Sequence, residues 1–353
     1  MERGNTMGMG SDINRNIREW MERYQVTGLS MARIQEGHIR MTEGYGILEA
    51  GTDRRVTSHS MFNACSISKF VTSMLVLKLA DQGIVDIDED VNVKLSSWKV
   101  PESECTQHHK VTLRTLLSHQ SGILDPENSF GVWNSVQGSP SVVELLEGRS
   151  AYCREAINVT YEPGSEFAYS DTGFCIIQQV IEDVSGKPFQ VLLDELIFAP
   201  LHIRNSKMNP SSYKSMNGQL SCGHHKNGRL VEGKYPMYPY PAASGLWTTP
   251  ADLAVLVIEL MNSLKSKSIL GISEGKAKEW ITPQGGRDWT GLGVFLDGSE
   301  QEVEISSLGW GVGFQCLLTA KPYQGKGSII MTNIDSGVHQ SKGIIGEILR
   351  SLE

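Results

Sequence analysis

The chain has 353 residues, 40% of them hydrophobic and 20% charged, with a formal net charge of −8. That is ordinary globular composition, long enough for a large core and one or two domains. The acidic balance without a dense Lys/Arg block argues against a nucleic-acid partner, and no apolar run approaches the roughly 20 residues of a membrane span.

The opening stretch, MERGNTMGMGSDINRN, is polar and Gly-rich. It lacks the apolar segment of a secretory signal, so a cytoplasmic protein is expected. Six cysteines, at positions 65, 105, 153, 175, 222 and 316, show no paired or zinc-type spacing and are expected to be free thiols. Ile13 to Tyr24 reads as an amphipathic helix with Ile13, Ile17, Trp20 and Met21 on one side. Gly28 to Ile34 and His38 to Tyr45 read as a hairpin around Gln35-Glu36-Gly37.

Met61 to Ala80, MFNACSISKFVTSMLVLKLA, organises the chain. Small residues lead into Ser66, Lys69 follows three positions later, and Val71, Met74, Leu75, Val76, Leu77 and Leu79 give a wide apolar surface at helical spacing. The helix is expected to stop near Gln82-Gly83, with the glycine as C-cap. Residues 84–235 show short helical patterns at Val111–Ser118, Ser141–Leu146, Gly173–Glu182 and Pro188–Ile197, separated by turns such as Ser121-Gly122 and Glu162-Pro163-Gly164-Ser165. Thr249-Pro250-Ala251-Asp252 starts a further helix running to about Asn262. Strand-like runs follow at Gly291–Leu296, Val303–Leu308, Phe314–Thr319 and Ser328–Asn333, then an amphipathic helix, Val338–Leu352. Strands at both ends with helices between predict an α+β fold. One antiparallel sheet is built from residues 1–65 and 236–353 and flanked by helices, and 66–235 forms a mostly helical domain that includes the nucleophile helix.

A helix starting near Ser66 sets Ser66 and Lys69 on one face, with Cβ atoms about 5–6 Å apart. It also aims free N–H groups and a positive dipole end at the Ser66 hydroxyl. The lysine is then the candidate base, and the dipole favours an oxyanion. Ser-x-x-Lys recurs at Ser96/Lys99, Ser211/Lys214 and Ser273/Lys276, in polar or Pro-flanked stretches with no long apolar helix behind them, as solvated surface pairs do. Gly271-Ile272-Ser273-Glu274-Gly275 matches a nucleophile elbow, but it follows a short polar-flanked segment and is trailed by a single histidine, His339. It reads as a loop entering the Lys276–Ile281 turn. His108-His109 and His224-His225 point different ways as neighbours and have no acidic or thiol partner at ligand spacing, so no metal or other cofactor is implied. His119 is read as structural. Tyr235 to Pro241, YPMYPYP, reads equally as a rigid polyproline-like loop or as a pocket wall with Tyr238 in contact with substrate. Trp247 and Trp310 are candidates to flank an acyl group, with core packing the plainer reading of Trp247.

Three pieces line up in order: Ser66-Ile67-Ser68-Lys69, Tyr169-Ser170-Asp171 within PGSEFAYSDTGF, and Leu308 to Phe314, LGWGVGF. With LLSHQSGI around His119 and AASGLWTTPADLA around Trp247, the chain resembles the serine β-lactamase and penicillin-binding-protein superfamily, in its class C and esterase-like branch of carboxylesterases and D-aminopeptidases. The likeness covers roughly Ile13 to the C-terminus. It implies Ser66 as the acylated nucleophile, with Lys69 and Tyr169 sharing the proton shuttling. The backbone N–H groups of Ser66 and Trp310 would form the oxyanion hole. A neutral lysine at pH 7 requires a pKa lowered by about 3 units, about 4 kcal/mol, and the choice between Lys69 and Tyr169 as base stays open.

Two positions depart from the family pattern. The second motif usually reads Tyr-x-Asn, and position 171 is Asp. An ionised carboxylate cannot donate to a substrate carbonyl, and facing Lys69 it would favour charged lysine and shift the base role to Tyr169. Alternatively, Ser170-Asp171-Thr172 mimics the Ser-Asp-Asn motif of class A enzymes, although the framing phrase favours the Tyr169 alignment. The third motif usually reads Lys- or His-x-Gly, and here it is Ser307-Leu308-Gly309, without the cationic group that meets a substrate carboxylate. The reading is a serine hydrolase acting through an acyl-enzyme on a small-molecule ester or amide, with poor β-lactam turnover. Asp171, Ser307, Gly309, Trp310 and Tyr238 are candidate substrate contacts. A sensor or scaffold that is acylated without turnover, and an acyltransferase, are the rival readings.

Overall fold

The computed structural model describes residues 6–209 and 218–352; the Ser211/Lys214 pair lies outside them. Helix α1 (Thr6–Arg23) leads into strands β1 (Gly28–Gln35) and β2 (His38–Gly46). The hairpin turns on Glu36 and Gly37 alone, both at positive φ (54° and 72°), the geometry whose twist suits two-residue hairpins. Helix α2 (Ser68–Asp81) is buried over most of its circumference, which is why its sequence is apolar nearly all round. The chain then forms α3 (Asp171–Ser185), closed by Gly186 at φ 66°, and α4 (Pro250–Ser263), whose Thr249 cap accepts from Asp252 N–H. Strands β3 (Phe295–Asp297), β4 (Glu304–Gly311), β5 (Phe314–Lys321) and β6 (Lys326–Thr332) precede the closing helix α5 (Ile344–Leu352).

The six strands form one antiparallel sheet in the order β2-β1-β6-β5-β4-β3. The two chain ends meet at β1 and β6, where Leu29 pairs with Thr332 and Ile34 with Gly327. Side chains alternate across each strand. On β5, Cys316, Leu318 and Ala320 join the large core that continues through Phe70, Met74 and Leu256 of α2 and α4 into the helical segment. Leu317, with Leu29, Met31 and Ile330, packs instead against Ile17 of α1 and Ile345 and Ile348 of α5. Ser66 therefore stands where α2 meets the inner face of the sheet.

Helix α1 begins ahead of the expected Ile13, and three further elements differ. Gly291–Leu296 yields a strand only from Phe295, because Leu292 N–H is taken by Trp280 O (3.0 Å) and Gly293, at φ 74°, donates to Leu117 O (2.7 Å). The last helix starts at Ile344, since Gln340–Lys342 is a separate 3₁₀ turn followed by extended Gly343. The Pro188–Ile197 helix splits into Phe189–Leu193 and a π turn, Asp194–Phe198. No helix among the described residues is long and apolar enough to cross a membrane, and all six cysteines are free thiols.

Candidate active site

Ser66 sits in a 3₁₀ turn, Cys65–Ile67, and the α-helix proper begins only at Ser68. The turn is forced. Cys65 adopts a left-handed φ of 49°, which costs a non-glycine residue of order 1–3 kcal/mol. The surroundings hold it there: Asn63 Oδ1 accepts from Cys65 N–H (2.8 Å), Asn63 Nδ2 donates to Pro236 O (2.9 Å), and Ser68 Oγ donates to Cys65 O (2.6 Å). Cys65 itself is buried, and burial pushes its thiol well above the usual range.

Lys69, one turn on, is almost fully buried. Its Nζ donates to three oxygens: Asp171 Oδ1 (2.5 Å), Ala243 O (3.2 Å) and Ser66 Oγ (3.3 Å). Burial by itself pushes an ammonium down, but the Asp171 carboxylate and the neighbouring Tyr169 more than offset it, and Lys69 is held charged above the ordinary lysine range. Asp171 is itself on the first turn of α3 and is placed from behind. Asp125, which sequence reasoning passed over, accepts from the N–H groups of Asp171 (2.8 Å) and Thr172 (2.9 Å) and from Ser170 Oγ (2.8 Å). A carboxylate at a helix N-terminus satisfies free donors and opposes the dipole. Ser170, buried, caps the helix through Gly173 N–H (3.1 Å), so its hydroxyl is engaged away from Ser66.

Tyr169 stacks on His119, ring centres 4.3 Å apart, and Lys69 Nζ lies 4.8 Å from the Tyr169 ring centre. His119 accepts from Ser170 N–H at Nδ1 (3.1 Å), and burial and then the Lys69 charge push it down to about 3, so it is a neutral ring that braces Tyr169.

Strand β4 forms the opposite wall. Ser307, Gly309 and Gly311 face inward by strand alternation. A Cβ on Gly309 would lie 2.2 Å from Ala64 O, and one on Gly311 2.2 Å from Tyr238 Oη. The strand approaches the nucleophile turn this closely only because both positions lack side chains. Ser307 lines the pocket with Ser66, Lys69, Tyr169 and Phe295, and its hydroxyl has no protein partner among the described residues. Trp310 points to the other face, where Nε1 donates to Asp335 (2.9 Å), so only its backbone can serve Ser66. Tyr238 is buried and accepts from Val312 N–H (3.0 Å); it braces the β4–β5 turn and does not line the Ser66 pocket. Trp247 is fully buried against Phe314 and cannot flank an acyl group. Ser273 caps the Glu274–Trp280 helix and is bonded to Asp81, in keeping with a loop rather than an elbow. His224 is consumed structurally, between Asn333 O (2.8 Å) and Ala50 N–H (3.1 Å). The pocket at Ser66 is about 20 Å³, room for about one water.

The family model named Beta-lactamase matches residues 13–348. Protein flp of Staphylococcus aureus strain N315 is 22% identical over 334 residues, covering 92% of this chain but 63% of that protein, so the chain spans less than two thirds of that relative's length. The beta-lactamase/D-alanine carboxypeptidase of Yersinia pestis, solved with citrate, superposes with a TM-score of 0.73 at 21% identity, over 99% of this chain and 98% of that one. D-alanine carboxypeptidase AmpC of Burkholderia cenocepacia gives 0.75 at 17% identity, over 98% and 100%.

Proposed function

The chain belongs to the beta-lactamase family, and from that premise we propose that it is a serine hydrolase that forms an acyl-enzyme at Ser66 on neutral esters or small amides. The observation that carries the reading is the state of Lys69. With its three N–H bonds directed at Asp171, Ala243 and Ser66, it is an ammonium with no lone pair. It orients the Ser66 oxygen and offers positive charge to the transition state, and the proton leaving Ser66 passes to Tyr169, acting as a phenolate, which hands it on to the departing alkoxide or amine and so becomes basic again. The N–H groups of Ser66 and Trp310 stabilise the oxyanion, and Tyr169 then activates the deacylating water.

Among the described residues lining the pocket, the only cation is Lys69, already paired with Asp171. Ser307 offers one hydroxyl where a carboxylate-bearing substrate would need a positive charge. This supports uncharged substrates over β-lactams or C-terminal peptides. In so small a pocket the acyl group extends outward past Tyr169 and Phe295. The same locked ion pair supports a second reading, in which Ser66 is acylated but the intermediate persists, as in a sensor or a penicillin-binding scaffold.

The test is intact mass after fluorophosphonate exposure beside p-nitrophenyl butyrate turnover, for wild type and Ser66→Ala. One adduct and turnover, both lost in the variant, are expected, with nitrocefin turned over poorly. An adduct without turnover supports the second reading. Equal labelling of the variant overturns the assignment of Ser66.

A further inference from the structure

A larger cavity, about 740 Å³, lies along α3 beyond the active-site turn. Its size falls in the range of small-molecule sites, roughly 300–1,000 Å³. Ser66, Lys69 and Tyr169 are not among its lining residues. Its apolar lining includes Val143, Met237, Pro239 and the indole of Trp133, and the ring is fixed by its Nε1 donating to Ser139 Oγ (2.9 Å). The lining also includes Gln178 and Gln179, and Glu182 one turn further along α3.

Among the described lining residues the one formal charge is that of Glu182. Its Oε1 accepts from Gln178 Nε2 (3.1 Å) and Phe189 N–H (2.9 Å), while Oε2 has no protein partner among the described residues. A carboxylate oxygen left open in a cavity that also holds amide groups and an indole is complementary to an organic cation.

The cavity is also wired to the catalytic turn. Gln178 Oε1 accepts from Ala242 N–H (3.3 Å), and the next carbonyl, Ala243 O, holds Lys69. Tyr238, another lining residue, accepts from Val312 N–H at the end of the oxyanion strand. An occupant would thus touch two residues, each one hydrogen bond from a part that positions Ser66 or its partners.

We propose that this cavity is an effector site for a primary ammonium carried on an apolar or aryl body, whose occupancy changes the reactivity of Ser66. The site is distinct from the hydrolase reading, although the effect on reactivity rests on Ser66 being the nucleophile. Calorimetry reports binding independently of that chemistry, so the two readings fail separately.

The experiment titrates the full chain with 2-phenylethylammonium, and with phenylacetate as the charge-reversed control. Saturable binding with a Kd of about 1 mM is expected for a ligand of about nine heavy atoms. Glu182→Gln, which keeps the Oε1 acceptor, should weaken it about fivefold. Val143→Trp, which fills the cavity, should abolish it while the variant still melts cooperatively. At saturation the rate of fluorophosphonate labelling of Ser66 should change by about twofold or more. The proposal is overturned if the amine does not bind, if binding survives Val143→Trp, if phenylacetate binds equally well, or if the labelling rate is unmoved at saturation.

Discussion

Replacing Asp171 by Asn is the sharpest perturbation of the site. It restores the amide usual in the family and removes the counter-ion of Lys69 while leaving the lysine buried. At 2.5 Å and an effective dielectric of about 20, Coulomb's law gives an attraction of about 6–7 kcal/mol as an upper bracket. Breaking buried pairs costs about 3–5 kcal/mol in practice, and at 1.36 kcal/mol per unit this is a fall of about 2–4 units in the lysine's pKa. The sign of the pH dependence must then invert. In the wild type, Lys69 is raised above its unfolded value, so its contribution is fully present below about pH 10.4 and is lost as the pH climbs toward the folded value. In Asp171→Asn, burial depresses Lys69, the folded state holds the proton less tightly than the unfolded chain, and stability rises with pH until about 10.4. Thermal melts between about pH 7 and 10 should therefore show the variant less stable overall, with Tm increasing with pH, and the wild type without that rise. The pH profile of kcat/KM for p-nitrophenyl butyrate should gain a titration in the same window. A variant whose Tm is flat or falls with pH would refute the argument that Asp171 sets the charge of Lys69.

Three further outcomes are expected. Gly309→Ala places a methyl 2.2 Å from Ala64 O, so β4 must move off the nucleophile turn. Turnover should drop by about 100-fold while circular dichroism shows the fold retained, with about 1–3 kcal/mol lost in urea titration. Asp125→Ala should cost about 2 kcal/mol by denaturant melts and slow Ser66 labelling, because three donors at the start of α3 lose their acceptor. His119, pushed down to about 3, contributes stability that is present above about pH 6.5 and lost as the pH falls toward 3; at pH 4.5 the loss is about 3 kcal/mol. Acid titration of Tm should show it, and His119→Asn, which tolerates the positive φ of 57°, should flatten that limb.

Much of this was legible in the residues because it is local. The Glu36-Gly37 turn, the all-round apolar helix behind Ser66, the Thr249-Pro250 start of α4 and the strand-like runs of β5 and β6 each depend on a short window of chain. The possibility that Asp171 faces Lys69 was readable from the motif, but its distance and the resulting charge state needed the packing of α3 against α2. Asp125 left no local signal: it reaches across 46 residues to the N–H of Asp171. Tyr238 read as a candidate wall of the Ser66 pocket because its anchor, Val312, lies on another element altogether. Glycines within strand-like runs do carry a signal, since Gly309 and Gly311 mark close backbone approach. Gly291 and Gly293 looked the same yet lie before the strand, because the N–H groups of Leu292 and Gly293 are taken by the Trp280 and Leu117 carbonyls.

The pairing of β1 with β6 bears on how the chain is made. Leu29 meets Thr332, about 300 residues later, and at 5–20 residues per second a ribosome needs about 15–60 seconds to bridge that interval. For that time the N-terminal hairpin is out of the exit tunnel with one edge open and its Ala32 and Ile34 face uncovered. Two-stranded hairpins are marginal alone, so the sheet assembles last, on top of helices already made. Translation speed and chaperone supply, more than equilibrium stability, should set the yield of folded protein.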